Sequence, residues 1–133
     1  EKLTTFKDTY NPVIYLQKKI EIPGKDLGLA FLGGKYLATY ARVAHKDSWT
    51  TTTVNGGKYE PFKPSPDLIK LAEKAQSLFD LSFTCVDIVE TADGPMVFEV
   101  SAFGGFRGLL KTWDIDVADR YSQYVIDQIE KQT

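Results

Sequence analysis

SFTCVDIVETADGPMVFEVS, residues 82–101, is composed of two apolar runs joined by a short polar segment. Gly, Pro and Asp in the segment TADGP are typical of a turn, and apolar runs on both sides of a turn predict an antiparallel hairpin. A five-residue loop over Thr91–Pro95 would pair Glu90 with Met96. The same register then places Asp87 directly opposite Glu99.

Two opposed carboxylates within apolar strands need a compensating partner. Directly opposite Cβ atoms lie about 4.5–5.5 Å apart, where like charges destabilise a sheet. A proton, a bridging lysine or arginine, or a hard cation would relieve the repulsion. Ser101 follows Glu99 on the same face and adds a third oxygen, so Asp87, Glu99 and Ser101 form a candidate Mg²⁺ site. This register puts Cys85, Val89 and Val97 on the acidic face, and Val86, Ile88, Phe98 and Val100 on the other.

The alternative to a metal site is an exposed strand edge or a structural ion pair with Arg42 or Arg107. The segment SAFGGFRG, residues 101–108, does not match a Walker A loop or G-x-G-x-x-G, so alone it indicates a sharp turn. Beside the acids, it would bring Arg107 and backbone N–H groups to a place where an anion could bind.

The rest of the chain predicts an α+β fold with an antiparallel sheet packed on helices. Val13–Ile22 begins as an apolar strand, and Gly33-Gly34 provides the tight turn of a hairpin over residues 25–44. Ser65 and Pro66 predict the start of a helix whose apolar positions continue to Phe79. A closing helix near Val117–Ile129 has Ala118, Tyr121, Val125 and Ile129 on one face. Residues 46–66 read as a polar connection, and residues 1–12 show no pattern.

Composition narrows the function classes. The chain has 133 residues, a net charge of −2, one cysteine and one histidine. One of each excludes a zinc site of the usual Cys/His kind, and Cys85 in its apolar run is expected to be a core residue. No basic field indicates nucleic acid, and no apolar run is long enough for a membrane span. We therefore expect a cytoplasmic protein with neither nucleic acid nor membrane as a partner; a homo-oligomer is left open.

With these motifs, the chain resembles the carboxyl-terminal half of the ATP-grasp ligases, in particular the ribosomal-protein-S6-modification (RimK)-like α-L-glutamate ligases. The resemblance runs from about Val13 to Ile129. It implies that residues 1–133 are the carboxyl-terminal portion of an ATP-grasp domain, cut from a longer protein. The form EVSAFGGFRG is also similar to ATP-grasp proteins of tetrahydromethanopterin biosynthesis.

The resemblance assigns roles residue by residue. Gln17, Lys18, Lys19 and Ile20 stand where the family has its adenine-contacting hinge, and Asp26 in GKDLG would contact the ribose. Arg42 and Arg107 would hold the phosphates or the acyl phosphate. The magnesium ligands of the family fall on Asp87 and Glu99, with Ser101 in place of an asparagine.

Three departures from the family pattern concern the substrate contacts. Ser101 replaces the asparagine ligand, and Gly28 replaces the second arginine of Arg-Asp-Ile-Arg. Thr50, Thr52 and Asn55 stand where arginine, asparagine and arginine are expected.

The resemblance implies an ATP-dependent carboxylate–amine ligase that works through an acyl phosphate. Its cofactors would be ATP and Mg²⁺, with Mn²⁺ as an alternative, and its partners a carboxylate substrate and an amino acid as the amine. The chain alone is expected to be inactive. The alternatives are a degenerate ATP-grasp module that binds nucleotide or a partner without catalysis, and a structural α+β domain.

Overall fold

A computed structural model describes residues 2–10, 13–46, 51–53, 56–102 and 104–132 of the chain. In chain order the elements are α1 (Lys2–Tyr10), β1 (Lys25–Leu32), β2 (Lys35–Val43), β3 (Lys58–Pro61), α2 (Pro66–Gln76), β4 (Phe83–Thr91), β5 (Gly94–Ser101), α3 (Arg107–Trp113) and α4 (Val117–Glu130). The strands form one sheet in the order β3-β2-β1-β4-β5, with every neighbouring pair antiparallel. The α+β prediction is confirmed. None of the helices in the described ranges has the length and apolarity needed to cross a bilayer.

The sheet has an apolar layer on each face. Side chains alternate along a strand, so Leu27, Leu29 and Phe31 of β1 project to one face, against α2. Ala30 projects to the other face, where the core also contains Leu109 of α3 and Val117 of α4. The central strands β1 and β4 are therefore buried on both sides.

The first hairpin and its turn are as predicted. Leu32 pairs with Lys35, and Gly33 and Gly34 have φ values of +56° and +73°. Both angles lie in the left-handed region that a two-residue type I′ turn requires and that glycine adopts without a Cβ penalty.

The helix predicted from Ser65 is confirmed at its start and shorter at its end. The Ser65 hydroxyl oxygen accepts a hydrogen bond from the Leu68 backbone N–H at 3.3 Å, and Pro66 is the first helical residue. The helix ends at Gln76, and the side chains of Leu78 and Phe79 beyond it are exposed. The helical spacing of apolar residues beyond residue 76 therefore predicted a helix that is longer than the observed one.

The closing helix is confirmed, but its packed face differs from the predicted one. Val117 is buried and Tyr121 half-buried, whereas Ala118 is exposed and Ile129 is 61% exposed. Tyr124, half-buried one turn after Tyr121, replaces the predicted Val125 on the packed face. Apolar type alone did not identify which face contacts the sheet.

The second hairpin has a two-residue turn, so the predicted five-residue loop is wrong. Thr91 pairs with Gly94 and Glu90 with Pro95. The Thr91 hydroxyl donates to the Gly94 carbonyl at 2.8 Å and accepts from the Asp93 N–H at 3.1 Å, which closes the turn early. Pro95 is tolerated because β5 is an edge strand and needs no N–H there.

A β-bulge at Phe98 restores the predicted pair of acids. Ile88 pairs with Val97 and Asp87 pairs with Glu99, so one residue of β5 is unmatched between them. The short turn shifts the register by one residue and the bulge shifts it back. As a result, the predicted faces of Val97 and Phe98 are exchanged: Val97 packs against the core beside α2, and Phe98 is 48% exposed.

Four segments differ from the sequence reading. Residues 13–22 form no strand, because no neighbouring strand pairs with them and Val13, Tyr15 and Leu16 are 66–85% exposed. Helix α1 occupies much of the stretch that shows no pattern in the sequence, β3 lies within the predicted polar connection, and α3 follows the glycine-rich turn.

Candidate functional site

Three strands bring two aspartates and an arginine together on one face of the sheet. Asp26 of β1 pairs with Arg42 of β2, and Gly28 of β1 pairs with Asp87 of β4. The Arg42 guanidinium donates through Nε to Asp26 Oδ2 at 2.8 Å and through Nη2 to Asp87 Oδ2 at 2.6 Å. Nη2 also donates to Asp26 Oδ2. Arg42 of β2 thus joins a carboxylate of the central strand β1 to a carboxylate of β4, on the far side of β1.

The cluster is buried and carries excess negative charge. Asp26 is 2% exposed and Asp87 6% exposed. Burial raises the pKa of Asp87, Arg42 opposes that rise, and Asp26 and Glu99 add to it. Burial lowers the pKa of Arg42, but hydrogen bonds and charges from Asp26 and Asp87 raise it overall, so the arginine stays charged. Two carboxylates facing one cation leave a net charge of −1 before Glu99 is counted.

Glu99 completes the predicted pair of acids, in a different environment from Asp87. It lies opposite Asp87 but is exposed, because β5 is the edge strand, so of the two acids within apolar strands only Asp87 is buried. The Ser101 hydroxyl donates to Glu99 Oε1 at 2.5 Å. Asp87, Glu99 and Ser101 therefore share one face of the hairpin, as the sequence predicts.

Tyr40 is a site residue that the sequence reading missed. A Cβ atom at Gly28 would lie 2.5 Å from the Tyr40 ring, and a Cβ at Gly108 of α3 would also lie 2.5 Å from it. The ring is therefore held between two glycines. The Tyr40 hydroxyl lies 3.5 Å from Cys85 Sγ, and burial followed by the charge interaction with Cys85 raises the pKa of Tyr40. The sequence showed that position 28 has no side chain. It did not show that Tyr40, on the neighbouring strand β2, lies beside that position.

Cys85 is the core residue that its sequence context predicts. It is 4% exposed, and burial, together with the charge of Asp87, raises the pKa of its thiol to about 12. A Cβ at Gly104 would lie 2.5 Å from Cys85 Cβ, so the glycine-rich turn packs closely on this strand. The glycines at 104 and 108 therefore allow the turn and α3 to approach the acidic face.

A cleft of about 550 Å³ adjoins the cluster. It is lined by Gln17, Lys18, Lys19 and Ile20, by Asp26, and by Val89 and Phe98 of the second hairpin. The residues that the resemblance assigns to adenine and ribose thus lie around one cavity. Asp26 Oδ1, a buried atom without a hydrogen-bond partner, belongs to a residue of this lining.

The remaining predicted site residues do not contact the cluster of Asp26, Arg42 and Asp87 in the part of the chain that the structure describes. Arg107 is the first residue of α3, with an exposed side chain, and among the described residues it has no ion-pair partner. Thr50 and Asn55 lie outside the described residues, and Thr52 is exposed. Within the described ranges, no three or more His, Cys, Asp and Glu side chains form a group that could hold a metal. A cation here would need the two carboxylates of the hairpin plus oxygens from other sources.

Comparisons with known proteins agree on the family. The family of RimK-like ATP-grasp domains matches residues 2–125. A probable alpha-L-glutamate ligase of Maridesulfovibrio salexigens is 32% identical over 111 residues, which is 84% of this chain and 36% of that protein. The tetrahydromethanopterin:alpha-L-glutamate ligase of Methanococcus maripaludis is 31% identical over 129 residues, 95% of this chain and 42% of that protein. The chain thus spans well under half the length of these relatives.

A solved structure shows the same fold. The ATP-grasp ligase PsnB, complexed with a phosphomimetic variant of its minimal precursor, Mg and ADP, superposes with a TM-score of 0.63 over 82% of this chain and 34% of that chain, at 22% identity. From the match over residues 2–125 we conclude that this chain belongs to the family of RimK-like ATP-grasp domains.

Proposed function

We propose that this chain is the carboxyl-terminal portion of an ATP-dependent carboxylate–amine ligase of the α-L-glutamate type, which activates its carboxylate substrate as an acyl phosphate. The observation that carries the proposal is the pairing of Asp87 with Glu99, on the face where Arg42 lies. The names of the relatives and the Mg and ADP bound to the structural neighbour support the same class.

The residues present fit a nucleotide and a hard cation. Small-molecule sites range over about 300–1,000 Å³, and the cleft has about 550 Å³. Asp26 belongs to the lining of the cleft, so its carboxylate could accept a hydrogen bond from a ribose hydroxyl. Asp87, Glu99 and Ser101 offer only oxygen ligands, and Mg²⁺ commonly combines one or two carboxylates with phosphate oxygens and water.

Each side chain then has a separate task. Asp87 and Glu99 would hold the cation, and Mg²⁺ bound there would neutralise charge on the transferring phosphate. Arg42, kept charged by its acidic neighbours, would contact phosphate oxygens, with Arg107 as a second cation. The residues Gln17–Ile20 would position the adenine. No side chain needs to be a nucleophile, since phosphoryl transfer is mainly positioning and charge stabilisation.

Magnesium-dependent nucleotide binding tests the metal assignment. Calorimetric titration of ATP, with and without Mg²⁺, is compared for the chain and for Asp87→Asn and Glu99→Gln. We expect Mg²⁺ to strengthen ATP binding, and each substitution to remove about tenfold or more of that gain, ~1.4 kcal/mol. Glu90→Gln is the matched control, because Glu90 is an exposed acid of the same hairpin. An unchanged Mg²⁺ effect in Asp87→Asn would refute the metal site.

Turnover provides a separate test. ADP release is followed with Mg-ATP, glutamate and candidate carboxylates. We expect none from this chain alone, because phosphoryl transfer needs groups on both sides of the triphosphate and the described residues supply one side. Turnover of about 1 s⁻¹, typical of competent enzymes, would show that the chain is self-sufficient.

One observation favours a second candidate, a non-catalytic ATP-grasp module that binds nucleotide or a partner. The Tyr40 ring occupies the space beside Gly28, so an arginine at that position would collide with it. The cation that the family carries there is thus replaced by a buried phenol. Mg²⁺-dependent ATP binding, with no ligase turnover even in a longer form of the protein, would favour this candidate.

A further inference from the structure

Arg42 forms an ion pair with Asp87, the carboxylate that is proposed to hold the metal. Its Nη2 lies 2.6 Å from Asp87 Oδ2, and the side chain of Asp87 is only 8% exposed. A Mg²⁺ ligand lies at about 2.0–2.1 Å. A guanidinium and a divalent cation on the same buried carboxylate would repel each other strongly, because buried charges are poorly screened.

The other partner of Arg42 is bound in an incomplete geometry. Nε and Nη2 both donate to Asp26 Oδ2, whereas the buried Oδ1 of the same carboxylate accepts no hydrogen bond from the residues that the structure describes. The preferred arginine–carboxylate arrangement uses two parallel N–H···O bonds to two oxygens. If Nη2 leaves Asp87, Asp26 Oδ1 can therefore accept its hydrogen bond.

On the basis of the proposed function, we infer that Arg42 is an internal counter-cation that holds Asp87 until a divalent metal replaces it. Asp26 is the positioning residue that keeps the displaced guanidinium beside the site, through bonds to both of its oxygens. Metal binding at Asp87 and the turn of Nη2 from Asp87 to Asp26 would then be one coupled event, after which Arg42 remains beside the site, where phosphate would bind. Arg42 thus lowers the metal affinity of Asp87 in the absence of nucleotide, and it contacts the phosphates of the nucleotide once metal is bound.

The competition predicts opposite effects of removing Arg42 on two ligands. Mn²⁺ binding to the full chain without nucleotide is measured from the electron paramagnetic resonance signal of free Mn²⁺. We expect Arg42→Met to raise Mn²⁺ affinity roughly ten- to a hundredfold, the equivalent of one charge-assisted hydrogen bond. ATP affinity at saturating metal should fall. Lys35→Met is the matched control, since it removes one exposed positive charge from the same strand and should change Mn²⁺ affinity less than twofold.

Asp87→Asn separates the two possible failures. If it leaves Mn²⁺ binding unchanged, the proposed metal site is wrong. If it abolishes binding while Arg42→Met weakens Mn²⁺ binding or leaves it unchanged, the metal site stands and the counter-cation inference is wrong.

A measurement on the unaltered chain covers the case in which Arg42→Met does not fold. The guanidinium ¹H–¹⁵N signals of Arg42 are followed by NMR during Mg²⁺ titration. We expect the Nη signals to shift or broaden as Asp87 is taken by metal, whereas Nε–H stays protected by Asp26. Unchanged Nη signals at saturating Mg²⁺ would overturn the inference.

Discussion

Replacing Gly28 by alanine tests whether the Tyr40 ring is locked in the site. The new Cβ would lie 2.5 Å from Tyr40 Cζ, 2.7 Å from its Oη and 2.8 Å from its Cε2. Ordinary carbon contacts begin near 3.4 Å, so the ring would need to move by about 1 Å. Gly108 also packs closely on the ring, since a Cβ built there would lie 2.5 Å from it, so the ring has little free space on that edge.

The expected cost follows from this confinement. Overpacking a well-packed core costs about 1–3 kcal/mol. The entropic gain of alanine over glycine within a strand returns roughly 0.5–1 kcal/mol. Because the ring also packs closely on Gly108, we take the upper end of the overpacking range, and subtracting the alanine gain leaves a net loss of about 2 kcal/mol in the free energy of unfolding. At ~2.1 cal/mol/K per residue, this lowers the melting temperature by about 7 °C.

Urea denaturation followed by circular dichroism measures the loss. Gly105→Ala is the matched control, because a Cβ at Gly105 meets no atom of the described residues within 4 Å. We expect that control to change the unfolding free energy by less than about 0.5 kcal/mol. In a Tyr40→Leu background, Gly28→Ala should cost at least about 1 kcal/mol less than in the unaltered chain, since the colliding ring atoms are gone.

A Gly28→Ala variant within about 0.5 kcal/mol of the unaltered chain would refute the reasoning. It would mean that the ring moves freely, and that an arginine at position 28 is not excluded by Tyr40. An equal cost of Gly28→Ala in both backgrounds would place the strain elsewhere than on the ring.

Three further predictions concern other contacts of the fold. Ser65→Ala should lower the unfolding free energy by about 0.5–1 kcal/mol, because the Leu68 N–H loses its cap acceptor; a change below about 0.2 kcal/mol in urea denaturation would contradict the cap. Trp113→Phe should cost about 0.5–1.5 kcal/mol, since it removes the hydrogen bond that the indole Nε1–H donates to the Thr39 carbonyl at 2.6 Å; an unchanged urea midpoint would count against it. Folding raises the pKa of Cys85 from 9.0 to about 12, so the buried thiol favours its neutral form. Its contribution to stability is fully present below pH 9 and is lost as the pH rises through about 12. The thiol should therefore react with a disulfide reagent at pH 8 far more slowly than in the chain unfolded by urea, and equal rates would contradict its burial.

Local signals in the sequence were sufficient for several elements. Gly33-Gly34 predicts its turn because only glycine adopts two successive positive φ angles without penalty. Ser65 and Pro66 predict a helix start because a hydroxyl can satisfy a free N–H and proline has none to satisfy. These effects act between residues a few positions apart, so the sequence contains them directly.

The pairing of Asp87 with Glu99 was predicted correctly from an incorrect loop. The sequence showed that two acids lie at similar distances from one turn. It did not show that the turn has two residues or that the bulge at Phe98 compensates for it. The bulge accompanies the packing of Val97 against the core beside α2, which is a contact with residues far away in the chain.

The sequence by itself therefore determined the elements with strong local signals, the family resemblance and the acids of the candidate site. Only the tertiary structure decided that Arg42 bridges Asp26 and Asp87 and that the Tyr40 ring packs against Gly28 and Gly108. It also decided that residues 13–22 form no strand and that residues 17–22 line a cleft. Propensity and capping depend on neighbours in the chain, whereas a salt bridge, a ring contact or a strand partner depends on which distant residues the sheet brings within a few ångströms.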